Sequence, residues 1–505
     1  MNFNITSYFL DRNLDEGRGG NTALLTGDRS MTYAALAALT NQVGNVLREL
    51  GVRQGDVVLL ALSDGAEFVS AWYAAQKAGA VTAEVYTFLQ PKDYAYYLGY
   101  TEPRLVVADA VTLASLREAG ATNLLVTGVP EDELRPGEHH FETLVSQASS
   151  TLEAAPTSLD DVAIWKFTTG STGAPKACVH TARSPLESYE RYARGVLEIR
   201  PDDKVLAVPK LFFGYARDLV ALFPFGVGGT AIVFGERSTA ELLFGLIARH
   251  RPTILVNVPT MMSAMIAHPA AAGQDLSCLR LCTSAGEALP SELHRKWDNA
   301  FGVEVIDGIG SSEAYHIYLS NRPGQVRRGS LGQAVPGYRV RVLDETGAEL
   351  PDGEIGALEV TGPTIAREYR GDAEKTARTF HGDTVLSSDL FSRDGDGFFR
   401  HHGRADDLLK VGGVFVAPSE IEDCLLGHPD VTECAVIGHE VDGLVLPRAY
   451  VVLRDGAEPD AQALRDFTRA RLAGHKYPRE IRFVAELPRT ANGKLDRRAL
   501  KRGGA

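Results

Sequence analysis

The hydrophobic positions along the first half of the chain follow two alternating periods. After Thr32, apolar residues recur every three or four positions until Gly51, a spacing that predicts an amphipathic helix with a threonine cap. Short apolar runs stand at 57–62, 105–109 and 124–127, and a helical pattern covers Ala66–Lys77. Because strands that alternate with helices form parallel sheets covered on both faces, the pattern predicts an α/β fold.

The same alternation continues further along the chain and then changes near residue 402. Apolar runs at 205–208 and 253–256 flank a helical pattern at 241–250, and another strand is predicted at Leu281–Ser284. The charged, glycine-rich stretch HGRADDLLKVGG begins at residue 402, and beyond it the pattern indicates a strand, a helix and a strand. We therefore predict a large N-terminal domain of βα-layered sheets over residues 1–404 and a small C-terminal α+β domain over residues 405–505.

Composition and charge narrow the class of protein. The chain has 505 residues, 44% of them hydrophobic and 23% charged, which is typical of a soluble globular protein with several packed units. Its net charge of −13 disfavours a nucleic-acid surface. Five cysteines without a CxxC pair favour reduced thiols, and no apolar run approaches the roughly 20 residues of a membrane span. The sequence predicts a cytoplasmic protein with no membrane segment.

The stretch TTGSTGAPK at 168–176 has the composition of a polyphosphate-binding loop. Its two glycines allow the backbone to turn N–H groups inward, and its hydroxyl residues and lysine add donors and charge. It is not a Walker loop, since Pro175 and Ala177 flank the lysine. A glycine-rich surface turn is the alternative interpretation.

This stretch is similar to the phosphate loop of the acyl-adenylate-forming superfamily, which includes acyl- and aryl-CoA ligases, firefly luciferase and the adenylation domains of peptide synthetases. One departure is Ala177, where the family usually has glycine. The resemblance implies that the loop binds the phosphates of ATP through Thr168, Thr169, Gly170, Ser171, Thr172, Gly173 and Lys176.

Two further segments resemble the nucleotide site of that superfamily. In DGIGSSEAYH, the resemblance implies that residues of the first half line the base, that Ser312 contacts phosphate and that Glu313 binds Mg²⁺, a hard cation that takes carboxylate oxygens. SAGEALP resembles the turn along the adenine. The residues implied to line the base are Gly286, Glu287, Ala288, Asp307, Gly308, Ile309 and Gly310. A solvated glutamate and an ordinary helix start are the respective alternatives.

Three charged residues match later family positions. The resemblance implies that Asp389 accepts hydrogen bonds from the ribose hydroxyls, that Arg404 reaches ribose and phosphate, and that Lys494 is the catalytic lysine. As isolated residues they would be surface charges. Their order and separation along the chain favour the family roles.

The resemblance also implies that the small C-terminal domain rotates between two half-reactions. Asp406 matches the hinge, and Gly412 and Gly413 match a segment beside the pantetheine channel of coenzyme A. The alternatives are an aspartate in a polar loop and a flexible start to a strand.

The segments LFFGYARDL and HIYLSN, with most of the chain from Tyr8 to Leu500, resemble benzoate–CoA ligases in particular. A slot lined by aromatic rings favours an aromatic acid. The residues implied to line it are Phe213, Gly214, Tyr215, Ala216, Gly286, Ile309, Gly310 and His316. Gly214 is expected to open space, and with Arg217 and Asp218 it suggests an amino- or hydroxy-substituted ring. Alternatively, these two charges pair with each other at a helix start outside the slot.

The resemblance implies an aryl-CoA ligase that uses ATP, Mg²⁺ and coenzyme A, with Lys176, Glu313 and Lys494 supplying catalytic charge. Its small-molecule partner is an aromatic carboxylic acid, and the sequence leaves a monomer or a homodimer open. One alternative is an enzyme that loads an aryl group onto a carrier-protein phosphopantetheine. Another, of a different class, is a non-catalytic nucleotide-binding protein.

Overall fold

The structure is a computed structural model that describes residues 2–168, 174–404, 409–411, 414–441, 444–474, 476–489 and 495–502. In chain order its strands are β1 Thr22–Thr26, β2 Arg29–Thr32, β3 Val57–Ala61, β4 Val81–Glu84, β5 Leu105–Asp109, β6 Leu124–Thr127, β7 Glu138–His140, β8 Val162–Thr168, β9 Lys176–Thr181, β10 Lys204–Ala207, β11 Thr230–Val233, β12 Ile254–Asn257, β13 Leu281–Ser284, β14 Val305–Gly310, β15 Ile317–Ser320, β16 Gln333–Ala334, β17 Arg339–Leu343, β18 Gly356–Thr361, β19 Phe380–His381, β20 Thr384–Arg393, β21 Phe399–Arg404, β22 Leu409–Val411, β23 Val414–Val416, β24 Val431–Val441, β25 Leu444–Leu453 and β26 Glu480–Phe483.

The α-helices are α1 Arg12–Asp15, α2 Tyr33–Glu49, α3 Ala66–Lys77, α4 Pro91–Thr101, α5 Leu113–Glu118, α6 Phe141–Gln147, α7 Arg183–Ser188, α8 Gly214–Arg217, α9 Ala240–His250, α10 Pro259–Ala267, α11 Ser291–Phe301, α12 Ala373–Thr379, α13 Pro418–Leu426, α14 Ala461–Arg469 and α15 Arg497–Lys501. Three short segments are π-helical, at Ser7–Asp11, Tyr189–Arg194 and Asp218–Leu222. No helix in the described parts of the chain is long and apolar enough to cross a membrane.

Helix α2 forms where the hydrophobic spacing predicts it. The Thr32 hydroxyl accepts a hydrogen bond from the Ala35 N–H over 3.2 Å, which caps the first turn. Leu36, Val43 and Leu47 lie on the buried side of the helix. This agreement confirms the prediction of a capped amphipathic helix.

Two large sheets form the N-terminal part of the molecule. The first has seven strands in the order β7-β6-β5-β3-β4-β8-β9, and the second has nine in the order β16-β15-β14-β13-β12-β10-β11-β1-β2. Most inner strands pair in parallel, whereas the pairs at the sheet edges, β8–β9, β1–β2 and β14–β15–β16, are antiparallel. The predicted α/β fold class is confirmed.

A third sheet, β17 to β21, is antiparallel and was not predicted from the sequence. Its residues alternate between buried and half-buried positions along β18, which is the pattern of a strand with one covered face. In the C-terminal part, β24, β25 and β26 pack with α13 around Ile421, Val436 and Val451. The small α+β unit has the predicted order of strand, helix and strand, while the domain boundary between residues 404 and 405 stays a prediction.

Candidate active site

The predicted phosphate loop connects two antiparallel strands of the first sheet. Thr168 is the last residue of β8 and pairs with Lys176, the first residue of β9. Residues 169–173 of the connection lie outside the described residues, as do the predicted hinge, pantetheine and catalytic-lysine positions. The site predictions affected are those for Thr169, Gly170, Ser171, Thr172, Gly173, Asp406, Gly412, Gly413 and Lys494.

Lys176 forms an ion pair with Asp372, the residue that caps α12. Asp372 also accepts a hydrogen bond from the Lys375 N–H over 3.0 Å, and the hydrogen bond from Lys176 lowers the pKa of its carboxyl. Both side chains of the ion pair are about 30% exposed. The ammonium is therefore partly exposed at the start of β9, and its binding to a phosphate stays a prediction.

The turn after β13 has the conformation that its glycine allows. Gly286 has a φ of +86°, in the left-handed region that favours glycine. The next residue, Glu287, accepts hydrogen bonds from the Thr260 N–H over 3.0 Å and the Thr260 hydroxyl over 2.6 Å. Glu287 thus binds the N-terminal turn of α10, while Ala288 is exposed. Their predicted contact with adenine stays a prediction.

Strand β14 carries the predicted base-lining residues in a tightly packed hairpin with β15. The carboxyl of Asp307 is buried, its Oδ1 has no hydrogen-bond partner among the described residues, and burial raises its pKa to about 8.

The two glycines of β14 lie close to the backbone of β15 and the residue before it. A Cβ on Gly310 would overlap with the carbonyl oxygen of His316, and one on Gly308 would lie 2.8 Å from the carbonyl oxygen of Leu319. These close backbone contacts explain the two glycines around Ile309.

The residues after β14 connect the two large sheets. The Ser312 hydroxyl donates a hydrogen bond to the carbonyl oxygen of Phe167 over 3.2 Å. Phe167 lies one residue before Thr168. The Ser312 carbonyl is 2.7 Å from His180 Nε2. Ser312 is therefore close to the end of β8, directly before the predicted phosphate loop, and its contact with phosphate stays a prediction.

Glu313 lies beside Ser312 and is fixed by a tyrosine from a distant segment. The Tyr369 hydroxyl donates to Glu313 Oε1 over 2.7 Å. Within the described residues no group of three or more His, Cys, Asp and Glu side chains could hold a metal ion. A single carboxylate suits Mg²⁺, which takes one or two protein oxygens in addition to phosphate and water.

The two predicted ribose residues lie opposite each other in the third sheet. Asp389 of β20 and Arg404 of β21 are paired across the antiparallel ladder. Arg404 Nη2 donates to the Ser388 hydroxyl over 2.6 Å, and His401 Nε2 lies 4.0 Å from Asp389 Oδ1. Burial tends to raise the pKa of Asp389. The hydrogen bond and charge of His401 and the charge of Arg404 lower it by more, so the pKa of Asp389 lies below its usual value. The carboxylate is thus ionised and able to accept hydroxyl donors.

Three aromatic rings pack against His316. The ring centroids of Tyr192, Tyr215 and Phe223 lie 5.4, 5.7 and 5.1 Å from that of the imidazole. His316 is 3% exposed, and burial lowers its pKa to about 3, so the ring is neutral. The Tyr215 hydroxyl is 2.7 Å from that of Thr283 at the end of β13. We call these four rings the aromatic wall; it brings together the two predicted substrate segments, with Phe213 and Ala216 beside Tyr215.

The structure corrects the interpretation of Gly214 and supports the alternative for the two charges after it. A Cβ on Gly214 would overlap with Cε and Nζ of Lys166. The space that this glycine leaves is occupied, so the expectation that it opens the slot is wrong. Arg217 Nη2 donates to Asp218 Oδ1 over 2.8 Å, and both side chains are buried. The two charges pair with each other, which agrees with the alternative interpretation. The pair is buried inside the protein instead of lying at its surface.

Several residues of this site were missed in the sequence because their signals are tertiary. Tyr192 lies in the π-helical segment Tyr189–Arg194, and Phe223 directly follows the π-helical segment Asp218–Leu222. Nothing in the sequence distinguishes either residue from a core aromatic residue. Tyr369 and Asp372 come from a loop with no matched motif. Lys166 gave a usable signal, since it is a charge inside the otherwise apolar strand AIWKF.

Comparison with known proteins agrees with this geometry. The model of the AMP-binding enzyme family matches residues 10–370, and that of the AMP-binding enzyme C-terminal domain matches residues 420–494. The benzoate–CoA ligase of Thauera aromatica is 40% identical over 99% of this chain and 96% of its own length.

Two solved structures are also similar over nearly the full length of the chain. The anthranilate CoA ligase AuaEII in complex with anthranoyl-AMP has a TM-score of 0.95 and 36% identity, covering 100% of this chain and 97% of the other. A benzoate CoA ligase from Burkholderia xenovorans has a TM-score of 0.91 and 38% identity, covering 99% of both chains. The chain therefore belongs to the AMP-binding enzymes, in the branch of the adenylate-forming superfamily that contains the aryl-CoA ligases.

Proposed function

We propose that this protein is an ATP-dependent aryl acid–CoA ligase that acts on a benzoate-type acid. The observation that carries the proposal is the aromatic wall around the neutral imidazole of His316, three residues after Glu313. A flat aromatic acid gains edge-to-face contacts and buried area there, whereas a short aliphatic acid makes fewer such contacts. The family membership and the named aryl-CoA ligases among the relatives support the same reaction.

In the first half-reaction a carboxylate oxygen of the acid attacks the α-phosphorus of ATP. A P–O bond forms, the bond to the bridging oxygen breaks, and pyrophosphate leaves with the electron pair. Since two anions approach each other, fixed cations and aligned donors lower the barrier. We assign this role to Lys176, released from Asp372 by the nucleotide, and to Lys494. Mg²⁺, when bound by Glu313 and the phosphates, supplies further positive charge.

The ribose is held by the pair Asp389 and Arg404. The ionised carboxylate accepts the two ribose hydroxyls, and the guanidinium donates to ribose and phosphate oxygens. Such contacts far from the reacting phosphorus position it for attack, which is a large part of catalysis in reactions with little covalent participation by the protein.

In the second half-reaction the thiol sulfur of coenzyme A attacks the acyl carbon. A C–S bond forms, the acyl C–O bond breaks, AMP leaves, and the thiol proton passes to solvent. We propose that the C-terminal domain rotates about Asp406 between the two steps, so that Lys494 withdraws and Gly412 and Gly413 line the pantetheine channel. The five free cysteines are consistent with action in the reducing cytoplasm.

The test is pyrophosphate release measured over a panel of benzoates and aliphatic acids, with and without coenzyme A. We expect release with aromatic acids, faster multiple turnover when coenzyme A is present, and an aryl-CoA thioester as the product. Preference for an aliphatic acid would contradict the aryl assignment. Turnover that requires a phosphopantetheinyl carrier protein instead of free coenzyme A would favour the carrier-loading alternative.

A further inference from the structure

Lys166 is a buried ammonium beside the aromatic wall. It lies in the apolar strand β8, and its side chain is 9% exposed. Its Nζ donates to the carbonyl oxygen of Tyr315 over 2.5 Å and lies 3.9 Å from the centre of the Tyr315 ring. Asp218 Oδ2 is 3.5 Å away. Burial lowers the pKa of Lys166 to about 8 while Asp218 opposes this shift, so the group is predominantly charged at neutral pH.

The ammonium lies between the two segments that form the aryl slot. On one side Nζ occupies the position where a side chain at Gly214 would project, directly before Tyr215. On the other side it binds the carbonyl group directly before His316. The charge of Lys166 also contributes to the lowered pKa of His316. Lys166 therefore lies against both segments that are proposed to line the aryl slot.

The buried charges around Lys166 sum to zero without a ligand, which limits the charge of the ring substituent that the slot accepts. Arg217 pairs with Asp218 over 2.8 Å and with Glu84 over 2.5 Å, and Lys166 completes a set of two cations and two anions. All four side chains are at least nine-tenths buried. An anionic ring substituent would add an uncompensated buried charge, which is costly. A neutral polar substituent avoids that cost.

The same buried cluster has hydrogen-bond donors and acceptors that are not fully used. An ammonium has three N–H donors; the Tyr315 carbonyl accepts one from Lys166, and Asp218 Oδ2 lies at ion-pair distance, 3.5 Å away. His316 Nδ1 is buried and has no hydrogen-bond partner among the described residues, and Asp218 Oδ2 is engaged only by the 3.5 Å ion pair with Lys166. A hydroxyl group both accepts and donates, so it matches this set, whereas an aromatic amine mainly donates.

We propose that Lys166 is a specificity-determining residue of the aryl site, and that its ammonium hydrogen-bonds a neutral hydroxyl on the ring of a hydroxybenzoate. The inference rests on the proposed aryl acid–CoA ligase function and extends it to the substituent. The hydroxyl oxygen accepts a hydrogen bond from the Lys166 ammonium, and the hydroxyl group donates one to His316 Nδ1 or Asp218 Oδ2. A site built to bind a hydroxyl discriminates against an analogue that lacks it, because its buried polar groups are then left unpaired.

The test compares kcat/KM for benzoate, the three hydroxybenzoates, the three aminobenzoates and phthalate in wild type, Lys166→Met and a matched control. Methionine keeps the length of the side chain and removes the charge. The control is Lys77→Met, which removes another buried lysine, paired with Asp11 over 2.7 Å, on helix α3. If Lys166→Met does not fold, Lys166→Met/Asp218→Asn removes both charges together.

In wild type we expect at least one hydroxybenzoate to exceed benzoate in kcat/KM by tenfold or more. Lys166→Met lowers that ratio by tenfold or more through the KM of the hydroxybenzoate, and Lys77→Met leaves the ratio unchanged. A wild-type preference for benzoate, an aminobenzoate or phthalate, or a ratio that Lys166→Met does not alter, overturns this inference and leaves the aryl-CoA ligase function intact. Failure of the wild type with every aromatic acid overturns the proposed function itself, and this inference with it.

Discussion

The hydroxyl of Tyr369 donates a hydrogen bond to Oε1 of Glu313 over 2.7 Å. The two residues belong to distant segments of the chain, and the bond leaves Glu313 Oε2 without a hydrogen-bond partner among the described residues. A partner that fixes one oxygen of a metal-binding carboxylate orients the other, and loss of such partners typically weakens metal binding by 10- to 100-fold. Tyr369 is therefore a positioning residue for the proposed Mg²⁺ site.

We predict that Tyr369→Phe raises the Mg²⁺ concentration needed for half-maximal adenylation by about tenfold. The phenyl ring keeps the packing against Phe380, whose centroid lies 4.9 Å away, and removes only the hydroxyl. The measurement is a Mg²⁺ titration of pyrophosphate release at saturating ATP and benzoate. An unchanged Mg²⁺ dependence with a lowered maximal rate would show that the hydroxyl acts on something other than the metal site.

The close approach of β14 to β15 predicts that Gly310→Ala is harmful. A methyl group there would overlap with the backbone of His316, which cannot move without displacing the aromatic wall. We expect a loss of about 1–3 kcal/mol in the free energy of unfolding, as for other overpacked sites, and a reduced kcat/KM for benzoate. The control is Gly245→Ala in α9, where a Cβ meets nothing within 4 Å. Equal stability of the two variants would contradict the described packing.

Asp307 predicts an unusual pH dependence of stability. Burial raises its pKa from an ordinary value of 3.8 to about 8, so the folded protein keeps a proton that the unfolded chain releases. Its contribution to stability is therefore complete below about pH 4 and is lost as the pH rises toward 8, by at most about 1.4 kcal/mol per pH unit. The Asp307→Asn variant has no carboxyl group at this position, so it lacks this pH dependence.

The measurement is urea unfolding of the nucleotide-free protein, followed by tryptophan fluorescence, at intervals from pH 4 to 8. The free energy of unfolding of wild type minus that of Asp307→Asn is expected to fall steadily as the pH rises. A difference that stays constant over this range would mean that the carboxyl is already ionised in the folded state.

Lys494 is predicted to serve only the first half-reaction. Removing one preorganised charge of this kind costs about 10²- to 10³-fold in rate, so Lys494→Ala is expected to slow aryl-adenylate formation by at least that factor. Thioester formation from preformed aryl-AMP and coenzyme A is expected to stay largely intact, because the lysine is then withdrawn. Equal loss in both half-reactions, each measured in a single turnover, would refute the assignment.

The sequence alone predicted the features that depend on local periodicity or on short motifs. Helix α2 follows from the spacing of Leu36, Val43 and Leu47, and strands β5 and β13 follow from the apolar runs at 105–109 and 281–284. The family motifs then indicated which segments of the chain meet at one nucleotide. The hydrogen bond of Ser312 to Phe167 agrees with that expectation for the phosphate loop.

What the sequence did not predict depends on contacts between distant segments. Gly214 suggested open space, because nothing local shows that Lys166 fills it. Phe223 looks like any core phenylalanine until its ring is found 5.1 Å from His316. The antiparallel sheet around β18 was overlooked because strands with one covered face alternate weakly in hydrophobicity, and the longer βα pattern dominated the interpretation.

The central claim is that cations from separate segments gather on one nucleotide so that an aromatic carboxylate is joined to AMP. The most direct measurement is exchange of labelled pyrophosphate into ATP with Mg²⁺ and benzoate or a hydroxybenzoate but no coenzyme A, with mass spectrometry of the bound product. We predict exchange that requires the aromatic acid, and a product with the mass of the aryl-AMP anhydride. Absence of exchange and of anhydride with every aromatic acid, from folded protein that binds ATP, would contradict the account.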